Sequence, residues 1–292
     1  MNKSRISQHN LISNNYLVSK GVSFITLQEL AIDGEGFMLA SRDWTTVYPT
    51  LYWKPNTSTR VVTMVRASIS PDTWKQINFP SGDVVVIQIH GVWGKLMLFN
   101  IYNDCASNNT IRQLTEFHSR NQVELTQSSS GEAHIMWVGD FNRHHPYWDN
   151  HRDDRLFTSE AIEAAEKLIE AVADVGLELA LPSRIPTHRH NVTKRWSRLD
   201  QVFLSDHSDN ILISCDTHPD QWGINTDHLP IRTELDLKAI QTEIGEIPNY
   251  RKADWEGVRK ELSVQLAKLP PATQITNQRQ MDESCKNLTK AI

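Results

Sequence analysis

The chain has 292 residues, 39% of them hydrophobic and 22% charged, with nine Trp among its aromatics. That excludes a disordered chain, which could not bury enough apolar surface to offset its ordering entropy. Thirty Lys and Arg against 35 Asp and Glu give a net charge of −5. Nucleic acid is therefore not held by overall charge alone, and any attraction for phosphate has to be local or carried by a bound cation.

Residues 1–15 are polar and lack the apolar core of a signal peptide. Arg5–His9 reads as a short first strand. Ser23–Leu27 is a β-type run ending at Gln28-Glu29. Thr46–Trp53, Arg60–Ala67, Val84–His90 and Lys95–Tyr102 follow as strands rich in Val, Ile, Thr and aromatics. The last two are joined by the hairpin-sized Gly91–Gly94. Asn109–Gln127 has helical spacing, and His134–Val138 is a strand ending at Gly139-Asp140. Thr158 and Ser159 are N-cap candidates for an amphipathic helix to about Val175, which Gly176 can terminate. Arg198–Leu204, Ile211–Cys215 and Leu229–Leu235 are the last strands. Many strands with few helices argue for packed sheets with helices outside, not a βαβ repeat.

Beyond residue 237 the character changes. Ile244–Tyr250 reads as linker, Ala253–Leu269 as one helix ended by Pro270-Pro271, and Ala272–Ile292 as a frayed polar end. The expected division is a domain over 1–237 followed by 238–292. No run approaches the ~20 apolar residues that span a bilayer. Three cysteines, Cys105, Cys215 and Cys285, odd in number and far apart, suggest neither a disulfide framework nor a zinc site. A nuclear or cytoplasmic monomer, neither secreted nor membrane-bound, is the expectation.

Five polar clusters sit at strand ends: Gln8–Asn10, Gln28-Glu29, Asn100–Asp104, Gly139–Asn142 and Thr226–His228, with Arg198-Leu199-Asp200 in support. Singly, each reads as solvated carboxylates or turn chemistry. Together they supply the parts for metal-assisted phosphodiester cleavage. Mg²⁺ takes one or two carboxylates and keeps waters, and Glu29 can supply one. Asp140 can be the base for water, and Asn142 a donor to phosphate. Asp227-His228 adds a carboxylate and an imidazole, which Asp200 could hold in one tautomer.

The order Asn, Gln-Glu, Tyr, Gly-Asp-Phe-Asn, Arg-Leu-Asp, Asp-His-Leu-Pro-Ile resembles the exonuclease–endonuclease–phosphatase superfamily. Asn100–Cys105, Gly139–Pro146, Trp148 and Thr226–Ile231 make it similar to the endonuclease domains of non-LTR (LINE-like) retrotransposons, fungal ones above all, over about residues 5–237. The resemblance implies an α/β fold, a four-layer sandwich of two packed, mainly antiparallel sheets flanked by helices. It implies Asn10, Glu29 and Asp227 at a Mg²⁺ ion, with Mn²⁺ as a substitute. It puts Tyr102 and His228 on the scissile phosphate, Asp140 as base, Asn142 as transition-state contact and Asp200 behind His228. Related enzymes have Asn three positions after the Tyr. Here Cys105 stands there and Asn103 is the stand-in.

Arg143 and His144, next to Gly-Asp-Phe-Asn, are expected on a substrate loop. Arg195 and Arg198, in the one dense basic stretch, are expected to touch DNA. The leading function is a DNA endonuclease that nicks one strand to prime reverse transcription, with a reverse transcriptase as partner domain in a full-length element. The alternatives are a repair-type apurinic endonuclease or a phosphatase of the same superfamily, and a catalytically decayed remnant that only binds.

Overall fold

A computed structural model describes residues 10–12, 15–33, 36–52, 58–208, 210–223, 226–238, 254–269, 275 and 277–291. The chain divides into two compact units, Met1–Ile244 and Gly245–Ile292.

The first unit opens on a helical turn at residues 10–12 and helix α1 (Asn15–Ser19). The expected strand Arg5–His9 lies outside the described residues. Strands β1 (Phe24–Gln28), β2 (Trp44–Val47) and β3 (Val61–Arg66) form an antiparallel sheet in the order β1-β3-β2. The larger sheet has six strands. Trp74–Ile77 is β4, Val84–Gly91 β5, Gly94–Tyr102 β6, Glu132–Asp140 β7, Leu177–Leu179 β8 and Asp200–Ser205 β11, in the order β4-β5-β6-β7-β11-β8. Among the described residues only β6–β7 is parallel, because helix α2 (Asn109–Thr126) connects them. Short strands β9 (His188–Arg189) and β10 (Trp196–Ser197) form a hairpin, and β12 (Leu212–Thr217) pairs with β13 (Ile231–Leu235).

Period-two alternation along the central strands creates two cores. Phe99, Ile101, Trp137 and Phe203 point to one face, where α2 and helix α3 (Ser159–Val175) cover them with Leu114, Ala165 and Leu168. Leu98, Val138, Val202 and Leu204 point to the other, against Val61 and Val65 of β3 and Cys215 of β12. A third cluster joins the outer side of β1 and β3 (Leu27, Val62, Met64) to Ile12 and Leu17 near the N-terminus. These are the layers of an α/β sandwich, with its second sheet in two pieces. The α3 boundaries follow from capping: Thr158 accepts a hydrogen bond from the Ala161 N–H, and Gly176 closes the helix at φ 69°.

The second unit holds α4 (Trp255–Leu266) and α5 (Gln278–Ala291). The polar end is thus a helix where a frayed segment was expected. Asn277 accepts from the Gln280 N–H at 3.0 Å, and Gln278 donates to Asp282 one turn on. Met281, Cys285 and Leu288, at i, i+4 and i+7, also give this polar segment a helical stripe. The expected linker at 244–250 lies outside the described residues. Among the described residues, no helix is long and apolar enough to cross a membrane.

Candidate active site

Tyr102, Asp140 and Asp200 are register partners across β6, β7 and β11. Partners in adjacent strands point the same way at ~4.8 Å spacing. Alternation sends all three toward the inter-sheet side, at the end of the sheet where β6 and β7 finish and β11 begins. Gly139 permits this close row. It has φ 144°, and a Cβ there would lie 1.9 Å from the Ile101 carbonyl oxygen, so only glycine fits.

Loop geometry completes the row. Asn142, in the left-handed region at φ 51°, turns the chain so that its N–H donates to Asp140 Oδ1 at 3.1 Å. Its Nδ2 donates to the Asn103 carbonyl at 2.9 Å. The Arg189 N–H donates to the Asp227 carbonyl and the Leu229 N–H to the Thr187 carbonyl, which docks residues 227–229 beside β9. His228 thereby stands over Asp200, Nδ1 to Oδ2 at 2.8 Å. Buried Thr187 Oγ1 accepts from the Leu199 and Asp200 N–H groups and anchors the start of β11.

The second sheet contributes Glu29, whose φ of 49° turns it out of the end of β1. The Tyr102 hydroxyl donates to Glu29 Oε1 at 2.9 Å. Arg60 lies with its guanidinium 4.7 Å from the Tyr102 ring centroid and forks onto Asp83 (2.5 and 2.6 Å), with a further bond to Asp104 at 2.6 Å. Its carbonyl accepts the Glu29 N–H.

Burial sets the charges. It pushes the Asp140 carboxyl up to about 7, with help from the Asp200 carboxylate and against His228 and the Asn142 N–H. Burial acts on Asp200 in the same upward direction, but the His228 imidazole and hydrogen bond outweigh it and hold Asp200 below the usual carboxylate range. For His228 burial works downward, and Asp200, its hydrogen bond and Asp140 overcome it to lift the imidazole to about 9. Burial and the Glu29 carboxylate hold the Tyr102 hydroxyl protonated far above its ordinary range.

Several sequence expectations are corrected. Arg143 is buried, and its guanidinium donates to Asn108 Oδ1 and to the carbonyls of Cys105, Asn142, Asp104 and Ser107. Arg198 is buried too, donating to Gln201 Oε1 and the Leu181 and Pro182 carbonyls. Neither presents a donor to a substrate; both hold loops. Asn103 is fully buried, with Nδ2 on the Phe141 carbonyl, and does not replace the missing phosphate contact. His144 Nδ1 meets buried Asp149 at 3.2 Å, which fixes it to the loop. Arg195 is exposed beside the β9–β10 hairpin turn, and Asn10 is exposed in its helical turn. Asp227 Oδ2 accepts from Asn191 at 2.9 Å and lies 3.7 Å from His188 Nε2. Arg60, Thr187 and His188 were missed as site residues. Only His188 gave a signal, as part of the basic stretch.

Residues 96–232, which carry the row and its loops, match the family described as endonuclease-reverse transcriptase. The chain resembles the exonuclease–endonuclease–phosphatase superfamily and, within it, the non-LTR retrotransposon endonucleases. Among solved structures, the endonuclease domain of TRAS1, a telomere-specific non-LTR retrotransposon, aligns with TM-score 0.57 at 16% identity, covering 82% of this chain and 97% of that one. The AP endonuclease LMAP from Leishmania major gives 0.62 at 12% identity, with 80% and 84% covered. An AP endonuclease from Archaeoglobus fulgidus gives 0.56 at 18%, with 80% and 96% covered. At such identities these endonucleases share the fold with this chain. No curated protein matches the sequence significantly.

Proposed function

We propose that the chain is a Mg²⁺-dependent DNA endonuclease that nicks one strand and leaves a 3′-hydroxyl from which reverse transcription is primed. The observation that carries this reading is the row Tyr102–Asp140–Asp200 capped by His228. It places a carboxyl buried near neutrality beside an imidazole held charged at neutral pH.

Asp140, deprotonated above about pH 7, takes the proton of the attacking water. His228 presents a charged donor to the phosphate, and Asp200 fixes its orientation through Nδ1. Asn142 keeps one amide N–H beyond its bond to Asn103 for a phosphate oxygen. Tyr102 spends its hydroxyl on Glu29 and orients that carboxylate. A hard cation fits the oxygen donors here: Glu29 Oε2 has no hydrogen-bond partner among the described residues. Glu29 would hold Mg²⁺, with Asn10 and Asp227 as further donors. When bound, the ion offsets negative charge developing on the phosphate. Arg195 supplies a phosphate contact from the exposed hairpin. The catalytic unit of this reading is residues 1–237, and DNA is its substrate.

Supercoiled plasmid incubated with the protein and Mg²⁺ is expected to yield nicked circles with 3′-hydroxyl ends. Chelation, Asp140→Ala and His228→Ala are each expected to abolish the product. Cleavage that survives all three refutes the mechanism, and DNA binding without cleavage supports the decayed remnant. Preference for an abasic oligonucleotide over intact DNA favours the repair-type reading.

A further inference from the structure

The chemistry proposed above uses His228 but not the imidazole beside it. His188, on β9, bridges the His228 backbone, and the two ring centroids are 4.9 Å apart. The donor atoms of His188, Asp227 and His228 come within 4.8 Å of one another. Each ligand is also held from behind. His228 Nδ1 is engaged by Asp200 at 2.8 Å and His188 Nδ1 by Ser197 Oγ at 3.1 Å, which leaves both Nε2 atoms as donors. Asp227 is held by Asn191 at 2.9 Å. An imidazole whose second nitrogen is fixed by an oxygen partner is the usual arrangement at a metal.

We infer that His188, Asp227 and His228 form a site, sharing Asp227 with the Mg²⁺ donor set proposed above, that is selective for a borderline transition ion such as Zn²⁺, which captures the His228 imidazole and blocks the nuclease. Two imidazoles and one carboxylate suit Zn²⁺, whereas Mg²⁺ prefers oxygen alone. A tetrahedral Zn²⁺ with bonds of ~2.0–2.1 Å needs donors about 3.4 Å apart. The separation of His188 Nε2 and Asp227 Oδ2 is already 3.7 Å. Three protein ligands leave one position for water. The ion occupies His228 Nε2, the nitrogen left free by Asp200, so that this atom no longer faces a phosphate. The blocking effect rests on the nuclease reading; the binding does not.

The test uses the full chain with Co²⁺ as a spectroscopic stand-in for Zn²⁺, in excess Mg²⁺. One equivalent is expected to give the visible absorption of a low-coordinate Co²⁺ ion. His188→Ala is expected to remove that band and to weaken Zn²⁺ binding at least ~10-fold. Ser197→Ala, which removes the hydroxyl holding His188 Nδ1 but no ligand atom, is expected to weaken it by a smaller factor. In plasmid nicking, the Zn²⁺ concentration that halves activity should rise by the same factor in His188→Ala, each protein being measured against its own rate in Mg²⁺ alone. A wild type that gives no Co²⁺ band, or a folded His188→Ala that binds Co²⁺ equally well, overturns the site. If the band behaves as expected but the protein nicks nothing, the nuclease reading fails and the metal site stands.

Discussion

Asp200→Asn separates a charge role for the Asp200–His228 pair from a merely structural one. The lift of His228 from 6.5 to about 9 corresponds to about 3 kcal/mol of preference for the imidazolium in the folded protein. Most of it comes from a carboxylate that Asn replaces without its charge. If the imidazole returns toward 6.5, its charged fraction at pH 7.5 falls from nearly all to about one tenth. Nicking at that pH should then drop at least ~10-fold. Asp200 also raises Asp140, so both limbs of the pH profile should move in the same direction. The wild type should show a bell between about 7, set by Asp140 as base, and about 9, set by His228 as charged donor. In Asp200→Asn the whole bell should shift to lower pH. The stability sign follows from the same values. The raised His228 stabilises the fold fully below its unfolded value of 6.5, and that stabilisation is lost as pH rises through about 9. NMR titration of the His228 ring, with nicking rates from pH 5.5 to 10, checks each part. A profile reduced in height but unmoved along the pH axis would refute the electrostatic argument and leave Asp200 a packing residue.

Two other substitutions test how the site is held. Arg60→Ala strips the stack from Tyr102 and leaves Asp83 and Asp104 unpaired. A cost of about 1 kcal/mol in urea unfolding is expected, because the guanidinium is a third exposed and screened. Nicking should fall ~10-fold, with little recovery in Arg60→Lys, whose ammonium cannot fork onto Asp83; unaltered nicking in Arg60→Ala would disprove the positioning role. Arg195→Ala and Arg143→Ala form a contrasting pair. Exposed Arg195 should lower the salt dependence of DNA binding by about one unit of slope while the melting curve stays put. Buried Arg143 should cost about 2–3 kcal/mol of stability, since it leaves several carbonyls unsatisfied. A reversal of those two outcomes would restore Arg143 as a DNA contact.

The parts of this site legible in the sequence are those whose positions follow from local geometry. Asp140 and Asn142 are two apart in one turn, and Gly139 marks the close approach of β7 to β6. Asp200 and His228 are identifiable because each begins or precedes an apolar strand. Whether an arginine faces water or a ring of carbonyls is not a local property. Arg143 is enclosed by residues 104–108, more than 30 positions earlier, and Arg198 by residues 181–182. In the sequence both look like the exposed Arg195. The Arg60 clamp spans 23 and 44 positions, so nothing beside Arg60 signals it. Strands β4, β8, β9 and β10 carry two to four residues each, too few for alternation to register. Their existence follows from the neighbours they pair with.

A net charge of −5 opposes a polyanionic substrate overall, but at the row the formal count misleads. Burial holds Asp140 toward its protonated form, and the charge of Asp200 is matched by the His228 imidazolium. Before any cation binds, the cluster is therefore close to neutral where a sequence count gives two negative charges. Further from the row, the Asp83 and Asp104 carboxylates are neutralised in part by Arg60. In the function proposed above, a divalent ion held by Glu29 would tip the balance to positive where a phosphate would lie. The exposed basic side chains of the β9–β10 hairpin stand beside His228, since β9 itself bridges that residue. Burial and pairing thus produce, in an acidic protein, a local field of the sign that phosphodiester cleavage requires.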